Sequence, residues 1–192
     1  VIYSSSFGIA NREENIPFAA DTIFDIGSIT KQFLATSVLK LIEEDKLALQ
    51  DTLQTYYPTV PEDKKEITIH QLLSHTSGLP ANLSNHQLYD IVPHEEYHTK
   101  AFSEKLVASP GEKYQYSNVG YSLLARIVEK VTQLDWEAYL SKNLFSVAGM
   151  TETGYRLPQF SNKRLAINYG ADQTAFQRFF SIEAKSRSVG HS

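Results

Sequence analysis

The sequence predicts an α+β fold, in which a strand-like beginning is followed by a mostly helical middle. Residues 1–10 are rich in β-branched, aromatic and serine residues, which is typical of a strand. Between residues 28 and 155, apolar residues recur mainly with helical spacing. The composition, 42% hydrophobic and 21% charged over 192 residues, is that of a packed globular chain and excludes disordered or fibrous classes.

Residues 1–27 are predicted to supply the sheet part of the fold as a hairpin that approaches Ser28. The first strand meets the polar run from Asn11 to Asn15, which predicts a turn. A second short extended piece is expected at residues 22–26. Gly27 then precedes the first helical pattern, which runs from Ser28 to about Asp45.

The middle of the chain is predicted to be a mostly helical lobe. Four further helices are expected, at residues 68–74, 103–108, 119–132 and 136–144. Glycine and proline near residues 78–80 and 109–111 predict loops between them. Residues 156–192 are expected to be extended or irregular. Because no repeat or low-complexity linker interrupts the chain, residues 1–192 are predicted to form a single domain.

Charge and composition exclude several classes of partner. The 18 Lys and Arg residues against 22 Asp and Glu residues give a net charge of -4, spread along the chain, so neither nucleic acid nor anionic lipid is predicted to bind. The absence of cysteine excludes a disulfide scaffold and a thiolate nucleophile. No apolar run approaches the roughly 20 residues that span a bilayer. A small-molecule or peptide substrate is therefore the expected partner.

The pattern Ser-x-x-Lys can bring a hydroxyl and an amine onto one helix face, where a neutral amine can accept the serine proton. It occurs twice, as Ser28 with Lys31 and as Ser37 with Lys40. At about 100° per residue, Lys31 falls inside the apolar stripe of its helix, whereas Lys40 falls among polar residues. The first pair is thus predicted to point inward and the second to face water.

A lysine in an apolar stripe loses the solvation that favours its charged form, which makes it a plausible base. Ser28, at the helix start, could use its own backbone N–H to stabilise an oxyanion. The alternative is structural: Ser28 as a helix N-cap and Lys31 as a side chain that reaches out to water. The pattern alone does not decide between them.

Two further segments carry a family resemblance. Residues 109–121 form a loop that delivers Tyr116 and Asn118 just before a helix, and residues 72–79 read Leu-Leu-Ser-His-Thr-Ser-Gly-Leu. In this order with Ser28-x-x-Lys31, these motifs resemble the serine β-lactamase and penicillin-binding protein superfamily, in particular its class C β-lactamase, D-aminopeptidase and esterase branch. The resemblance extends from residue 8 to residue 150.

This resemblance implies a fold, a reaction and four site residues. The fold would be the β-lactamase-like antiparallel sheet flanked by helices with a helical lobe. Ser28 would be the acylated nucleophile, Lys31 its proton partner, Tyr116 the general base or relay, and Asn118 a substrate-binding donor that also orients Lys31. The reaction would be hydrolysis of a β-lactam, a D-amino-acid peptide or amide, or an ester through an acyl-enzyme, without metal or organic cofactor. An extracytoplasmic location is implied as well.

His75 could be mistaken for the base of a Ser-His-Asp triad, because it follows a helix and lies among hydroxyl-bearing residues. No Gly-x-Ser-x-Gly elbow accompanies it. The resemblance implies that its loop is a brace beside the site. We therefore expect His75 to pack and to form hydrogen bonds rather than to react.

A rival from another class is a zinc metallopeptidase, because His94-Glu95-Glu96-Tyr97-His98 matches His-Glu-x-x-His. Pro93 directly before the first histidine and the lack of a well-spaced third ligand argue against it. The resemblance implies a variable loop here, within a stretch from Asn82 to Thr99 that is expected to shape the pocket.

A third possibility is a binding or scaffold protein of this fold without turnover. The family's third motif, Lys or His followed by Thr or Ser and Gly, is incomplete, because His191-Ser192 lacks the glycine and lies too close to Asn118. The chain also lacks elements that precede the family's first hairpin. We therefore expect a fragment that is incomplete at both ends, with self-association through an uncovered sheet edge.

Overall fold

The computed structural model describes residues 2–84, 94–154, 164–169 and 175–176, and it has the predicted α+β character. Two short antiparallel ribbons accompany a larger set of helices. The predicted fold class is confirmed. The elements are β1 (Ile9–Asn11), β2 (Ile16–Pro17), α1 (Thr30–Glu43), α2 (Leu53–Tyr56), α3 (Ile69–Leu73), α4 (His94–Ser103), α5 (Asn118–Thr132), α6 (Trp136–Leu140), β3 (Asn168–Tyr169) and β4 (Ala175–Phe176).

A hairpin forms after the predicted turn, but its second strand is Ile16–Pro17 and not the extended piece predicted at residues 22–26, where Ile23 forms only an isolated bridge with Leu165. β1 pairs with β2 across a turn, and the strand predicted from residue 1 begins only at Ile9. Gly8 has φ of 85°, a left-handed conformation that interrupts an extended backbone at this point. The backbone N–H of Ile167 donates to the carbonyl of Ala10 at 2.8 Å, so a later segment lies beside β1.

Helix α1 supplies one side of the core. Leu34, Val38 and Leu41 are fully buried and recur at the spacing that places them on one helix face. The prediction that Ser37 and Lys40 both face water is wrong for the serine. Ser37 is fully buried because its hydroxyl donates to the Leu34 carbonyl at 2.7 Å, while Lys40 pairs with Glu44 at 3.3 Å.

Helix α5 is the central element of the helical lobe, and it packs against α1, α3, α4 and α6. Its residues from Asn118 to Val128 are all buried. Ser117 caps the start, because its Oγ accepts the N–H of Gly120 at 3.0 Å. Gln133 ends the helix in a left-handed conformation with φ of 55°. The prediction of a helix over 119–132 is confirmed with one added residue.

Helix α3 confirms the prediction for residues 68–74. Thr68 and Gln71 form a reciprocal capping box, in which the Thr68 Oγ1 accepts the Gln71 N–H and the Gln71 Oε1 accepts the Thr68 N–H. Gly120 of α5 lies where an added Cβ would be 3.4 Å from Leu72 Cδ2. A small residue at this point therefore lets α3 and α5 approach closely.

Two predictions near residue 100 are wrong. Residues 94–103 are helical where a variable loop was expected, and residues 104–108 are not helical where a helix was expected. Tyr97 is almost completely buried, so tertiary packing stabilises α4. A proline directly before a helix is compatible with its start, because the first N–H groups need no intrahelical acceptor. Of the stretch from Asn82 to Thr99 that was expected to shape the pocket, residues 85–93 lie outside the described residues.

The helix expected at residues 136–144 forms in two parts. Asp135 caps α6 by accepting the N–H groups of Glu137 and Ala138 at 3.1 and 3.3 Å. The chain then continues as a π-helix over Ser141–Phe145. Within the described part of the chain, no helix has the length and apolar character needed to cross a membrane.

Gly78 joins the loop after α3 to the loop before α5. Its carbonyl accepts the Val107 N–H at 2.8 Å, and its φ is 76°. A Cβ added at this glycine would lie 2.1 Å from the carbonyl oxygen of Ala108. The two loops therefore approach so closely that only glycine fits here.

We predict that Gly78→Ala lowers the free energy of unfolding by about 2 to 5 kcal/mol, because overpacking costs roughly 1 to 3 kcal/mol and a left-handed alanine roughly 1 to 2 kcal/mol. Gly149→Ala is the matched control, since Gly149 has φ of 69° but open space around the added carbon. It should cost about 1 to 2 kcal/mol. Urea unfolding of both variants measures the difference, and equal losses would contradict a steric role.

Candidate active site

Ser28 lies in a 3₁₀ turn, Gly27–Ile29, that leads directly into α1. Gly27 has φ of 54°, and its N–H donates to Asp25 Oδ1 at 2.7 Å. The Thr30 hydroxyl donates to the Gly27 carbonyl at 2.8 Å. These bonds fix the backbone on both sides of Ser28, whose side chain is exposed at the start of the helix.

Lys31 is buried, with 7% of its surface exposed, as the helical spacing predicted. Its Nζ lies 3.2 Å from Ser28 Oγ and 2.7 Å from Asn118 Oδ1. The same nitrogen lies 4.9 Å from the centre of the Tyr116 ring and 5.6 Å from that of Tyr121. The amine is thus held by two polar atoms and two aromatic faces, which orient it toward the serine.

Tyr116 reaches Ser28 from the loop before α5. Its hydroxyl oxygen lies 2.6 Å from Ser28 Oγ, a short O–H···O hydrogen bond. The serine oxygen therefore has both the phenol of Tyr116 and the amine of Lys31 within hydrogen-bond distance. Either group is close enough to exchange a proton with the hydroxyl.

Asn118 is the first residue of α5, and its side chain is buried between two partners. Its Oδ1 accepts from Lys31, while its Nδ2 donates to Asn82 Oδ1 at 2.8 Å. Its backbone N–H donates to the Ala81 carbonyl at 2.8 Å. Asn82 thereby fixes which end of the Asn118 amide faces the lysine. This role of Asn82 was not predicted, because no local sequence signal links residues that are 36 positions apart.

His75 contacts the site through its ring and its backbone. Its Nδ1 accepts the Ser117 N–H at 3.0 Å, and its carbonyl accepts the Gln115 N–H at 2.7 Å. The imidazole centre lies 4.6 Å from the Tyr116 ring and 4.9 Å from the Tyr121 ring. Burial, and then the charge of Lys31, lower the pKa of His75 below its ordinary value of 6.5.

The ring of Tyr121 completes the aromatic surroundings of Lys31 and His75. This residue was not singled out from the sequence. Its hydroxyl donates to the Leu73 carbonyl at 3.0 Å, which ties α5 to the end of α3. Burial raises the pKa of this phenol, and the neighbouring Tyr116 and Tyr114 raise it further. Tyr121 therefore remains a neutral hydrogen-bond donor that supports the loops around Lys31.

The His-Glu-x-x-His segment forms part of α4, and its second histidine packs on aromatic side chains. The His98 ring lies 5.5 Å from the Tyr57 ring and 6.0 Å from the Phe102 ring. Burial and then the charge of Lys130 lower the pKa of His98. Across residues 2–84, 94–154, 164–169 and 175–176, no group of three or more His, Cys, Asp or Glu side chains is arranged to hold a metal ion.

The structure thus brings together the four predicted site residues, Ser28, Lys31, Tyr116 and Asn118. Two hydrogen-bonding groups converge on one exposed hydroxyl at the start of a helix, and a buried amide holds one of them in place. Such an arrangement can activate the hydroxyl and return its proton to a departing group. His191 and Ser192, which were considered for a third motif, lie outside the described residues.

The chain is similar in sequence and in structure to known proteins of one family. Residues 1–180 match the family described as Beta-lactamase. Penicillin-binding protein 4* of Bacillus subtilis (strain 168) is 31% identical over 171 residues, which are 86% of this chain and 38% of that protein. A D-amino acid amidase from Ochrobactrum anthropi SV3, in complex with L-phenylalanine amide, is 26% identical with a TM-score of 0.76, over 85% of this chain and 47% of that one.

A class C β-lactamase structure shares the fold, with a TM-score of 0.81 and 23% identity over 94% of this chain and 49% of that one. The chain spans about half or less of the length of these three proteins. The fold is therefore that of β-lactamases and penicillin-binding proteins, as the resemblance of the motifs predicted. Since the family match takes in residues 1–180 of the 192, the chain belongs to the Beta-lactamase family.

Proposed function

We propose that this chain carries the acylation site of a serine hydrolase in which Ser28 is the nucleophile. The observation that carries the proposal is the convergence on Ser28 Oγ of Tyr116 Oη at 2.6 Å and Lys31 Nζ at 3.2 Å. The membership of the Beta-lactamase family supports the same class of reaction. We also propose that residues 1–192 form one domain.

In the proposed step, Ser28 Oγ attacks a carbonyl carbon and a new C–O bond forms. The serine proton passes to the Tyr116–Lys31 pair, which later delivers it to the leaving nitrogen or oxygen as the old bond breaks. Water then attacks the acyl-enzyme by the reverse proton route and releases the acid.

The start of the helix contributes electrostatically in this proposal. The first N–H groups of a helix have no intrahelical acceptor, and they lie at the positive end of its dipole. The backbone N–H of Ser28 is therefore suited to stabilise negative charge on the attacked carbonyl oxygen. Asn118 would hold Lys31 and present part of its amide toward the bound substrate.

The proposed substrates are acyl compounds of one broad class: a β-lactam, a D-amino-acid peptide or amide, or an ester. Support comes from the similarity to a penicillin-binding protein at 31% identity and to a D-amino acid amidase at 26% identity. Ser28 is exposed, so a substrate carbonyl can approach it from solvent.

We predict that Ser28 is the residue labelled when the chain is incubated with a fluorophosphonate or a penicillin. Intact-mass analysis followed by peptide mapping should place the adduct on Ser28, and Ser28→Ala should remain unlabelled. Ser37→Ala is the matched control, because Ser37 lies in the same helix but is fully buried and bonded to a carbonyl. Absence of any adduct on the folded chain would favour the non-catalytic binding protein.

We predict that Tyr116→Phe lowers the rate of Ser28 acylation by at least about a hundredfold, the usual scale for a positioned proton-transfer group. Tyr114→Phe is the control: it lies in the same loop, is exposed and contacts His75 edge-on at 5.7 Å. It should change the rate less than threefold, within about 0.7 kcal/mol of barrier. Stopped-flow acylation with a chromogenic ester measures both, and a near-normal rate in Tyr116→Phe would mean that Lys31 works alone.

We predict that Lys31→Met abolishes acylation while lowering the free energy of unfolding by about 1 to 3 kcal/mol, the cost of leaving the buried Asn118 Oδ1 without its donor. Leu34→Ala, one turn further along α1 and fully buried, should lose about 2 to 5 kcal/mol but keep acylation in the folded fraction. Urea unfolding and the rate of acylation are measured for both variants. Acylation that falls in Lys31→Met only in proportion to the unfolded fraction would assign the lysine a structural role.

We also propose that the chain self-associates through its first residues. Ile2, Tyr3 and Phe7 are 107%, 80% and 83% exposed, an unusual accumulation of apolar surface in one short segment. Replacing the three by serine should lower the apparent mass in light scattering if this segment mediates association. An unchanged mass would contradict this role.

A further inference from the structure

One residue holds the backbone on both sides of Tyr116. The carbonyl of His75 accepts the N–H of Gln115 at 2.7 Å, and its Nδ1 accepts the N–H of Ser117 at 3.0 Å. The imidazole also lies against the Tyr116 ring at 4.6 Å, with an interplanar angle of 31°. The position of the phenol over Ser28 thus depends on contacts with His75 before, after and alongside Tyr116.

The side-chain bond requires one protonation state and one tautomer. A backbone N–H can only donate, so Nδ1 must be the unprotonated, accepting nitrogen, and the single ring proton must lie on Nε2. When the imidazole takes up a second proton, Nδ1 becomes a donor that faces the Ser117 N–H. The hydrogen bond is then replaced by a repulsive contact, while the backbone bond to Gln115 does not depend on protonation.

The backbone of His75 has an uncommon conformation that allows both of these hydrogen bonds to form. His75 has φ of 58°, which is uncommon for a residue with a side chain and costs conformational energy. That conformation lets the carbonyl and Nδ1 of a single residue reach N–H groups two positions apart. Asparagine tolerates the same backbone conformation and carries an acceptor oxygen in the δ position, so it can replace this part of the histidine.

We propose that His75 is a positioning residue that holds Tyr116 over Ser28 only while its imidazole is neutral, so that acid disconnects the tyrosine from the nucleophile. This inference rests on the proposed acyl-transfer function. It assigns no direct contact between His75 and the substrate; its action passes through the Ser117 N–H and the Tyr116 ring.

Burial of His75, and then the charge of Lys31, favour the neutral form of the imidazole. Among the described residues, Lys31 faces it from α1, Tyr114 and Tyr116 from the loop before α5, and Tyr121 from α5. None of these four is a carboxylate that would hold a second proton on the ring. Because the folded chain binds this proton less readily than the unfolded chain, the stabilising contact is present above the ordinary value of 6.5 and is lost as pH falls through the lower folded pKa.

Two variants separate the parts of the contact. His75→Asn keeps an acceptor and the backbone conformation but cannot titrate, and His75→Phe keeps the stacked ring but has no acceptor. His98→Asn is the matched control, because the pKa of His98 is also lowered by burial but its ring packs on Tyr57 and Phe102. The rate of Ser28 labelling by a fluorophosphonate is followed against pH in each variant and in the unchanged chain.

The unchanged chain should show an acid step in labelling that coincides with the titration of His75 in ¹⁵N NMR spectra. His75→Asn should label within about threefold of the unchanged chain at neutral pH and lack that step, while His98→Asn retains it. His75→Phe should label about five- to tenfold more slowly at neutral pH, the scale of one lost hydrogen bond of ordinary net strength.

The proposal is overturned if the acid step in labelling that matches the His75 titration of the unchanged chain is still present in His75→Asn. It is also overturned if NMR at neutral pH shows the ring proton of His75 on Nδ1 rather than on Nε2. The NMR measurement needs no catalysis, so it tests the arrangement even where Ser28 is not labelled at all, which would overturn the proposed function instead. Thermal unfolding of each variant completes the test. A loss of labelling that follows the melting temperature alone would assign His75 a purely structural role.

Discussion

The bond between Lys31 Nζ and Asn118 Oδ1, 2.7 Å long, is the interaction on which the site depends. It joins the start of α1 to the start of α5, the two helices whose apolar faces form much of the core. A buried amine without such a partner would pay a desolvation penalty that nothing repays. Packing of the two helices therefore places Asn118 beside the lysine, while the serine and the lysine, three residues apart, are brought together by the turn at the start of α1.

Around this bond, two segments of the chain are held together by hydrogen bonds in which a backbone carbonyl accepts from a residue that is distant in sequence. Ser117 Oγ donates to the Pro80 carbonyl at 2.7 Å, and Asn118 N–H donates to the Ala81 carbonyl at 2.8 Å. The loop after α3 is thereby fixed to the start of α5. Buried backbone groups need partners, so these bonds make the loops rigid as well as close.

The residues that meet around Ser28 could be predicted from the sequence better than the residues that support them. Helical spacing alone turned Lys31 inward, because the position of a side chain on a helix follows from its number in the chain. Tyr116 and Asn118 required a motif known from a family, since no periodicity marks them. Asn82 and Tyr121 could not be found, because their roles depend on contacts between residues 36 and 48 positions apart.

The errors in the fold prediction have a similar origin. Ser37 is buried because its hydroxyl is satisfied by the carbonyl three residues earlier, which a hydrophobicity pattern does not register. Helix α4 is polar along most of its length, and the burial of Tyr97 compensates for its weak pattern. The strand predicted from residue 1 is short because β propensity reflects packing against neighbouring strands rather than the residues alone.

The separation of 88 residues between Ser28 and Tyr116, and of 87 between Lys31 and Asn118, has a consequence for the chain as it is made. At about 5 to 20 residues per second, a ribosome synthesises the serine several seconds before the groups that lie beside it. Until α5 has emerged and docked, Ser28 is an ordinary alcohol at the end of an unpaired helix. Under the proposed function, the nascent polypeptide would therefore not react with acyl compounds while it is still unfinished.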